Sequence, residues 1–173
     1  MATREDIKSG DLLIWHTDKS SALSRAFLSI VRTLTRSEYG HVGIAWRLYK
    51  YLFVVEGTLP FVRIAPIKDK DEFYYIPVDV KWTEKSESFL LKLIGKLYSL
   101  MDGIRAYFGK TVKNDDHWQC AEIVNEFYRE HGIDLGDAWT PTEVVKKTLE
   151  ITGKPLYKIA AVADESTFTP MER

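Results

Sequence analysis

The residue of this chain best suited to covalent chemistry is its single cysteine, Cys120. The apolar residues Ile123, Val124 and Phe127 follow it at helical spacing, so the sequence predicts a helix with the cysteine in its first turn. A helix N-terminus stabilises negative charge through its N–H groups and its dipole, and the thiolate is the nucleophilic form of cysteine. This position predicts a reactive thiolate. The alternative is an inert core thiol, because cysteine is among the most frequently buried residue types.

Two further residues, His41 and Glu56, could complete a catalytic set with this thiol. Each lies in a segment rich in Val, Ile and aromatic residues, and the two segments predict an antiparallel pair of strands. If residues 47–50 form the loop, residue 46 pairs with 51 and His41 lies directly opposite Glu56. A carboxylate beside an imidazole fixes its tautomer and stabilises its charged form. The pattern predicts Cys120 as nucleophile, His41 as base and Glu56 as the residue that orients the base. The alternatives are a hydrogen-bonded core histidine and a solvent-facing carboxylate.

The other histidines fit this chemistry less well. His117, three residues before the cysteine, is a reserve candidate for the base or for substrate contact, or else a solvated first-turn residue. His16 and His131 are interpreted as structural, at a sheet edge and at a helix C-terminus. The sequence has no closely spaced ligand pair of the C-x2-C or H-x3-H kind and no glycine-rich phosphate loop, so we expect no metal and no nucleotide cofactor.

The elements that must position these residues predict an α+β fold, with an antiparallel β-sheet packed against helices. The predicted strands cover 11–16, 40–46, 51–58, 61–66, 73–80 and 156–162. The predicted helices cover 22–34, 84–99, 114–132 and 140–149, and the third is expected to be capped by a residue of 114–116. No repeat or linker divides the sequence, so we expect a single domain over residues 1–173.

The composition excludes several classes of partner. The chain has 24 basic and 25 acidic residues and a formal charge of -1, which gives no whole-chain attraction to nucleic acid or to an anionic membrane. Its longest apolar runs are far shorter than the roughly 18 residues that suggest a transmembrane helix. Residues 1–10 are polar and lack the pattern of a secretory signal. These features predict a cytoplasmic protein with no transmembrane segment.

The order of short motifs along the chain resembles a known family. The motifs are Gly10-Asp11-Leu12-Leu13-Ile14, Gly40-His41-Val42-Gly43-Ile44, Val54-Val55-Glu56-Gly57 and Trp118-Gln119-Cys120-Ala121-Glu122. They resemble the YiiX/YaeF-like proteins, a circularly permuted branch of the NlpC-type papain-like superfamily that is related to lecithin retinol acyltransferase. The resemblance implies a circularly permuted papain-like cysteine peptidase fold. It also implies the same three catalytic residues that the physical argument selects.

The resemblance further implies a cysteine hydrolase or acyltransferase that acts on an amide or ester bond through an acyl-enzyme. Its candidate substrates are cell-wall peptides and lipid acyl amides or esters. Residues expected to contact substrate are Trp118, Gln119 and His117 beside the cysteine, with Tyr98 and Asp102 upstream. The alternative for the tyrosine is a packed helix residue with its hydroxyl at the surface. The alternative function is a non-catalytic peptide- or lipid-binding domain that retains the fold.

Overall fold

A computed structural model describes residues 2–16, 38–98 and 117–161 of the chain. The strands are β1 (Leu12–His16), β2 (Tyr39–Leu48), β3 (Tyr51–Gly57), β4 (Val62–Pro66), β5 (Phe73–Ile76), β6 (Leu97–Tyr98), β7 (His117–Trp118) and β8 (Tyr157–Ile159). Six of them form one antiparallel sheet in the order β4-β3-β2-β1-β5-β8, and the two short strands β6 and β7 pair in parallel. Their Val, Ile and aromatic content suits a half-buried pleated surface.

The helices begin and end at recognisable signals. A short 3-10 helix (Arg4–Asp6) precedes β1, and the α-helices are α1 (Glu84–Leu93), α2 (Cys120–Glu130) and α3 (Pro141–Thr152). Before α3, the hydroxyl of Thr140 accepts a hydrogen bond from the N–H of Glu143, and Gly153 ends the helix with a φ of 61°. None of the helices in the described residues has the length and apolar character needed to cross a membrane.

The sheet has a buried apolar layer on each face. The main layer joins β1 and β2 residues such as Ile14 and Ile44 to the inner face of α2, where Ile123 and Phe127 are fully buried. Alternate strand residues such as Leu13 form a smaller cluster on the other face. Because successive strand residues point to opposite faces, each central strand contributes to both layers. The predicted α+β class, with an antiparallel sheet packed against helices, is confirmed.

The backbone pairing between neighbouring central strands ends at different residues in different pairs of strands. A turn at residues 49 and 50 joins β2 to β3, and their paired rows run from Leu48–Tyr51 to Ile44–Val55. The β1–β2 pairing continues past His41 to Tyr39, and the β3–β4 pairing continues to Gly57. At this end of the sheet, therefore, β2 is held by β1 and β3 is held by β4.

Two helices are shorter than the sequence predicts. α1 ends at Leu93 rather than near residue 99, because Gly95 adopts a φ of 87° and the chain continues into β6. α2 begins at Cys120, after β7, with Gln119 as its N-cap; the expectation that the helix already includes 117–119 is therefore wrong. Residues 114–116 and the predicted helix over 22–34 lie outside the described residues.

Candidate active site

Cys120 is the first residue of α2, and 6% of its surface is exposed. The first hydrogen bond within the helix runs from the N–H of Ile123 to the carbonyl of Gln119, at 3.1 Å. The N–H groups of Cys120 and Ala121 precede this bond and are not used by the helix ladder. The thiol therefore lies at the end of α2 that carries a partial positive charge, where an anion is stabilised.

Gly57, the last residue of β3, lies against the start of α2. A Cβ atom built on Gly57 would lie 3.1 Å from the nitrogen of Cys120 and 3.2 Å from the carbonyl carbon of Gln119. Both neighbours are backbone atoms, so they cannot move aside without moving the helix. The absence of a side chain at Gly57 thus lets the first turn of α2 approach the strand that carries Glu56.

His41 links Cys120 to Glu56. Its imidazole lies close enough to the side chain of Cys120 for the thiol to raise the pKa of His41, and its Nε2 atom lies 2.6 Å from Oε2 of Glu56. Since Nε2 is used by the carboxylate, Nδ1 is the ring nitrogen left for the thiol. The side chain of His41 is 26% exposed and that of Glu56 is 9% exposed, so the imidazole is reachable and its carboxylate partner is covered.

The contact between His41 and Glu56 is diagonal, not directly across the strands. With Leu48 opposite Tyr51 and Ile44 opposite Val55, the register would carry Glu56 opposite Gly43. The predicted pairing of positions 41 and 56 is therefore wrong by two residues, because the hairpin closes through two residues instead of four. A diagonal neighbour on the same face is still within reach of a long side chain.

The charged forms of both His41 and Glu56 are strongly favoured. Burial disfavours the charged form of His41, but its hydrogen bonds with Cys120 and Glu56 and the negative charges of both raise the pKa of His41 to about 10. Burial also acts against ionised Glu56, yet the hydrogen bonds and positive charges of His41 and Arg63 lower the pKa of Glu56 to about 2. Near neutral pH, the site holds an imidazolium beside a carboxylate.

This pair makes the stability of the fold depend on pH. Because the folded pKa of Glu56 lies below its usual value of 4.5, its stabilising effect is present above about pH 4.5 and is lost as pH falls through about 2. Because the pKa of His41 is raised from 6.5, its effect is complete below about pH 6.5 and is lost as pH rises through about 10.

We expect Glu56→Gln to remove much of the acid dependence of stability, because it removes the carboxylate of this pair. Denaturant unfolding at pH 2 to 5 measures this effect. An unchanged acid dependence would contradict the charged pair.

Sequence reasoning missed Arg63, which binds the far side of the Glu56 carboxylate. Its Nε and Nη2 atoms donate to Oε1 of Glu56 at 2.9 and 2.7 Å. Glu56 and Arg63 are paired directly across β3 and β4. A signal was present in the sequence, since a hairpin centred on Leu59-Pro60 places residue 56 opposite residue 63.

The predicted substrate-contact residues next to the cysteine lie in and after β7. In the β6–β7 pair, Tyr98 is opposite Trp118, which brings this upstream tyrosine to the strand that leads into Cys120. The indole Nε1 of Trp118 is buried and has no hydrogen-bond partner in the described part of the chain. Gln119 is 7% exposed, and His117 is partly buried in β7. Asp102 lies outside the described residues.

His131 makes a second contact between a nucleophile-type residue and a histidine, but this one is structural. Its Nε2 lies 2.8 Å from the hydroxyl of Ser86, and its Nδ1 lies 2.7 Å from the carbonyl of Phe127. Ser86 is fully buried at the start of α1, so no substrate could reach its hydroxyl. The pair joins the start of α1 to the end of α2. His16 likewise bonds a backbone carbonyl, that of Glu38, at 3.0 Å.

No protein-family model and no curated protein matches this chain. Among solved structures, its fold is similar to that of a protein described as the metalloprotein YiiX from Escherichia coli O157:H7. The TM-score is 0.53 at 21% sequence identity, and the match covers 75% of this chain and 69% of that chain. At this identity the similarity concerns the fold, and at that level it supports the YiiX-like relation.

Proposed function

We propose that this chain is a cysteine hydrolase or acyltransferase that acts on an amide or ester carbonyl, with Cys120 as nucleophile. The observation that carries the proposal is the continuous set of contacts from a thiol at a helix start, through His41, to the buried carboxylate of Glu56. A nucleophile, its base and a residue that orients the base are the parts that covalent acyl transfer requires. The YiiX-like motif order, typical of the permuted papain-like branch, supports the same reaction class.

In the proposed reaction, the Cys120 thiolate attacks the carbonyl carbon and a carbon–sulfur bond forms. The carbonyl oxygen becomes an oxyanion, which the N–H groups at the start of α2 stabilise. The imidazolium of His41 gives its proton to the leaving nitrogen or oxygen, which departs and leaves a thioester. Water or another acceptor then attacks the thioester while His41 takes up its proton, and the thiolate is released. Glu56 holds the ring and stabilises its charge throughout.

The low exposure of Cys120 favours a second candidate, a non-catalytic domain that binds a peptide or lipid. A thiol that is 6% exposed resembles a core thiol in accessibility, although its interaction with His41 distinguishes it from an inert one. The two candidates differ in a measurable property. A binding domain needs no activated thiol, whereas the enzyme needs a thiolate that persists well below the pH at which an ordinary thiol ionises.

The description of YiiX as a metalloprotein raises the question of a metal in this chain. Over residues 2–16, 38–98 and 117–161, no group of three or more His, Cys, Asp or Glu side chains is arranged to hold a metal ion. The described residues do not fit a resident metal site, so the proposed mechanism contains no metal step. Metal analysis of the purified protein, with and without chelator treatment, checks this directly.

The pH dependence of Cys120 alkylation tests the proposal. We expect the rate of reaction with iodoacetamide to change by less than about twofold between pH 8 and pH 6, because the thiolate is held by His41 and the helix N-terminus. An ordinary thiol, which ionises near pH 8.5, loses about 75-fold of its thiolate over the same interval. A loss of that size in this protein would favour the binding domain. Since the chain has one cysteine, the modified site is unambiguous.

The substrate class requires a separate experiment. Incubation with cell-wall peptide fragments or with lipid amides and esters, followed by mass spectrometry of the intact protein, would detect an acyl group on Cys120. The mass gain identifies the acyl group, and Cys120→Ala is the matched control. A gain that persists in Cys120→Ala would place the chemistry elsewhere.

A further inference from the structure

We infer that Arg63 is a positioning residue of the proposed active site, which holds the Glu56 carboxylate in the orientation that its bond with His41 requires. This inference rests on the proposed function and adds to it a residue outside the Cys-His-Glu set. Each oxygen of the Glu56 carboxylate has a different hydrogen-bond partner. Oε1 accepts two hydrogen bonds from Arg63, at 2.9 and 2.7 Å, and Oε2 is 2.6 Å from His41.

The geometry favours positioning over a simple surface ion pair. Both Nε and Nη2 of the guanidinium approach one oxygen, which fixes the rotation of the carboxylate and leaves the other oxygen directed at the imidazole. Glu56 is 7% exposed, so a buried carboxylate without partners would be costly to ionise. The register of β3 and β4 sets the two residues directly opposite each other, which determines the approach of the guanidinium.

The surroundings of Glu56 supply its charge partners from two sides. His41 faces it from β2 and Arg63 faces it from β4, while Cys120 of α2 faces the imidazole. Both cationic partners lower the pKa of Glu56 against the effect of burial. Loss of Arg63 should therefore let the carboxyl group accept a proton at higher pH, and should also free its rotation.

Arg63 can be replaced without disturbing the core, because its side chain is 58% exposed on the outer strand β4. We expect Arg63→Gln to raise the midpoint of the Glu56 carboxyl titration, followed by carbon NMR, by about one pH unit or more. We also expect it to slow acylation of Cys120 by p-nitrophenyl acetate about fivefold to twentyfold. Arg63→Lys keeps the charge without the guanidinium fork, so it should restore the midpoint but only part of the rate.

Two controls isolate the mechanism. Arg129→Gln removes a comparable arginine, which pairs with Glu126 at 2.7 Å on α2, and should leave the acylation rate within about twofold of the parent. In a Glu56→Gln background, Arg63→Gln should add less than about twofold, because Arg63 acts through Glu56. An equal loss in both backgrounds would show that Arg63 acts on something else and would overturn the inference.

The inference and the proposed function fail in different ways. If acylation depends on Cys120 and His41 while Arg63→Gln changes neither the rate nor the Glu56 titration, the inference is wrong and the proposed function stands. If the parent shows no acylation that depends on Cys120, the proposed function is wrong. The Glu56 titration then still tests whether Arg63 holds the carboxylate, because an unchanged midpoint in Arg63→Gln would refute that role as well.

Discussion

His41→Ala is expected to lower acyl transfer by at least about a thousandfold and to change how thiol reactivity depends on pH. In the proposed mechanism, the imidazole is both the proton donor to the leaving group and the cation beside the Cys120 thiol. Without it, alkylation by iodoacetamide should fall by tens of fold between pH 8 and pH 6, whereas the parent rate stays nearly constant. The ratio of the two rates is the informative quantity, because it cancels differences in intrinsic nucleophilicity.

His117→Ala is the matched control for this prediction. His117 is also close to the cysteine in sequence, but it lies in β7 and is separated from α2 by two residues. Its substitution should leave the pH ratio near that of the parent. If His117→Ala steepens the profile while His41→Ala does not, His117 is the base and the role proposed for His41 is wrong.

Gly57→Val is expected to lower acylation of Cys120 by about a hundredfold or more and to destabilise the fold. Even the Cβ atom would lie 3.0 Å from Cδ1 of Ile123 and 3.1 Å from the nitrogen of Cys120. The added γ carbons would push the first turn of α2 away from β3, which separates the thiol and its N–H groups from His41. Overpacking of this kind typically costs about 1–3 kcal/mol in the free energy of unfolding. Denaturant unfolding and acylation kinetics measure the two effects.

A graded series makes this prediction specific. Gly57→Ala should give a smaller loss in both measurements, because its contacts are tight by only a few tenths of an ångström. Thr58→Val places the same branched side chain one residue later, beyond the end of β3, and should behave like the parent. A Gly57→Val protein with parental acylation would show that the close approach of β3 to α2 is unimportant for the thiol.

The contact between His41 and Glu56 could be predicted from the sequence even though the register could not. The turn contains Tyr49, which is 96% exposed and has a φ of 54°, a conformation more typical of glycine and asparagine. Nothing in the residue type indicates a two-residue turn there. The error was an even number of residues, so both side chains stayed on the same face. A shift of one residue would have separated them.

The start of α2 was harder to predict, because the usual capping signals point to the wrong residues. Asparagine and aspartate at 114–116 are good N-caps, whereas the observed N-cap is Gln119. Its N–H faces a carboxylate oxygen of Glu122, at 3.4 Å, and this local contact substitutes for a better cap residue. The prediction that Cys120 lies in the first turn was nevertheless correct, since the apolar spacing after it defines the helix. The role proposed for Asp102 stays a prediction.

The role inferred for Arg63 could not be assigned from the sequence alone. It lies seven residues after Glu56, and its importance depends on the register of a second hairpin and on which carboxylate oxygen His41 uses. The register can be expected from the turn at Leu59-Pro60, but the assignment of the two carboxylate oxygens to Arg63 and His41 requires the structure. Charged residues on an outer strand are ordinarily read as solubilising, which hides such a role.

The strand pairings around the site differ in length, so that β2 and β3 can separate locally at the site. His41 is tied by backbone pairing to β1, through Trp15, while Glu56 and Gly57 are tied to β4. The backbone pairs between β2 and β3 reach only to Ile44 and Val55. His41 and Glu56 therefore lie on strands whose backbones are not paired with each other at this level, and the 2.6 Å contact between their side chains connects the two strands. Separation of these two strand ends would break the contact between His41 and Glu56 while the rest of the sheet stays intact. Hydrogen exchange near residues 41 and 57 should therefore follow activity more closely than global stability does.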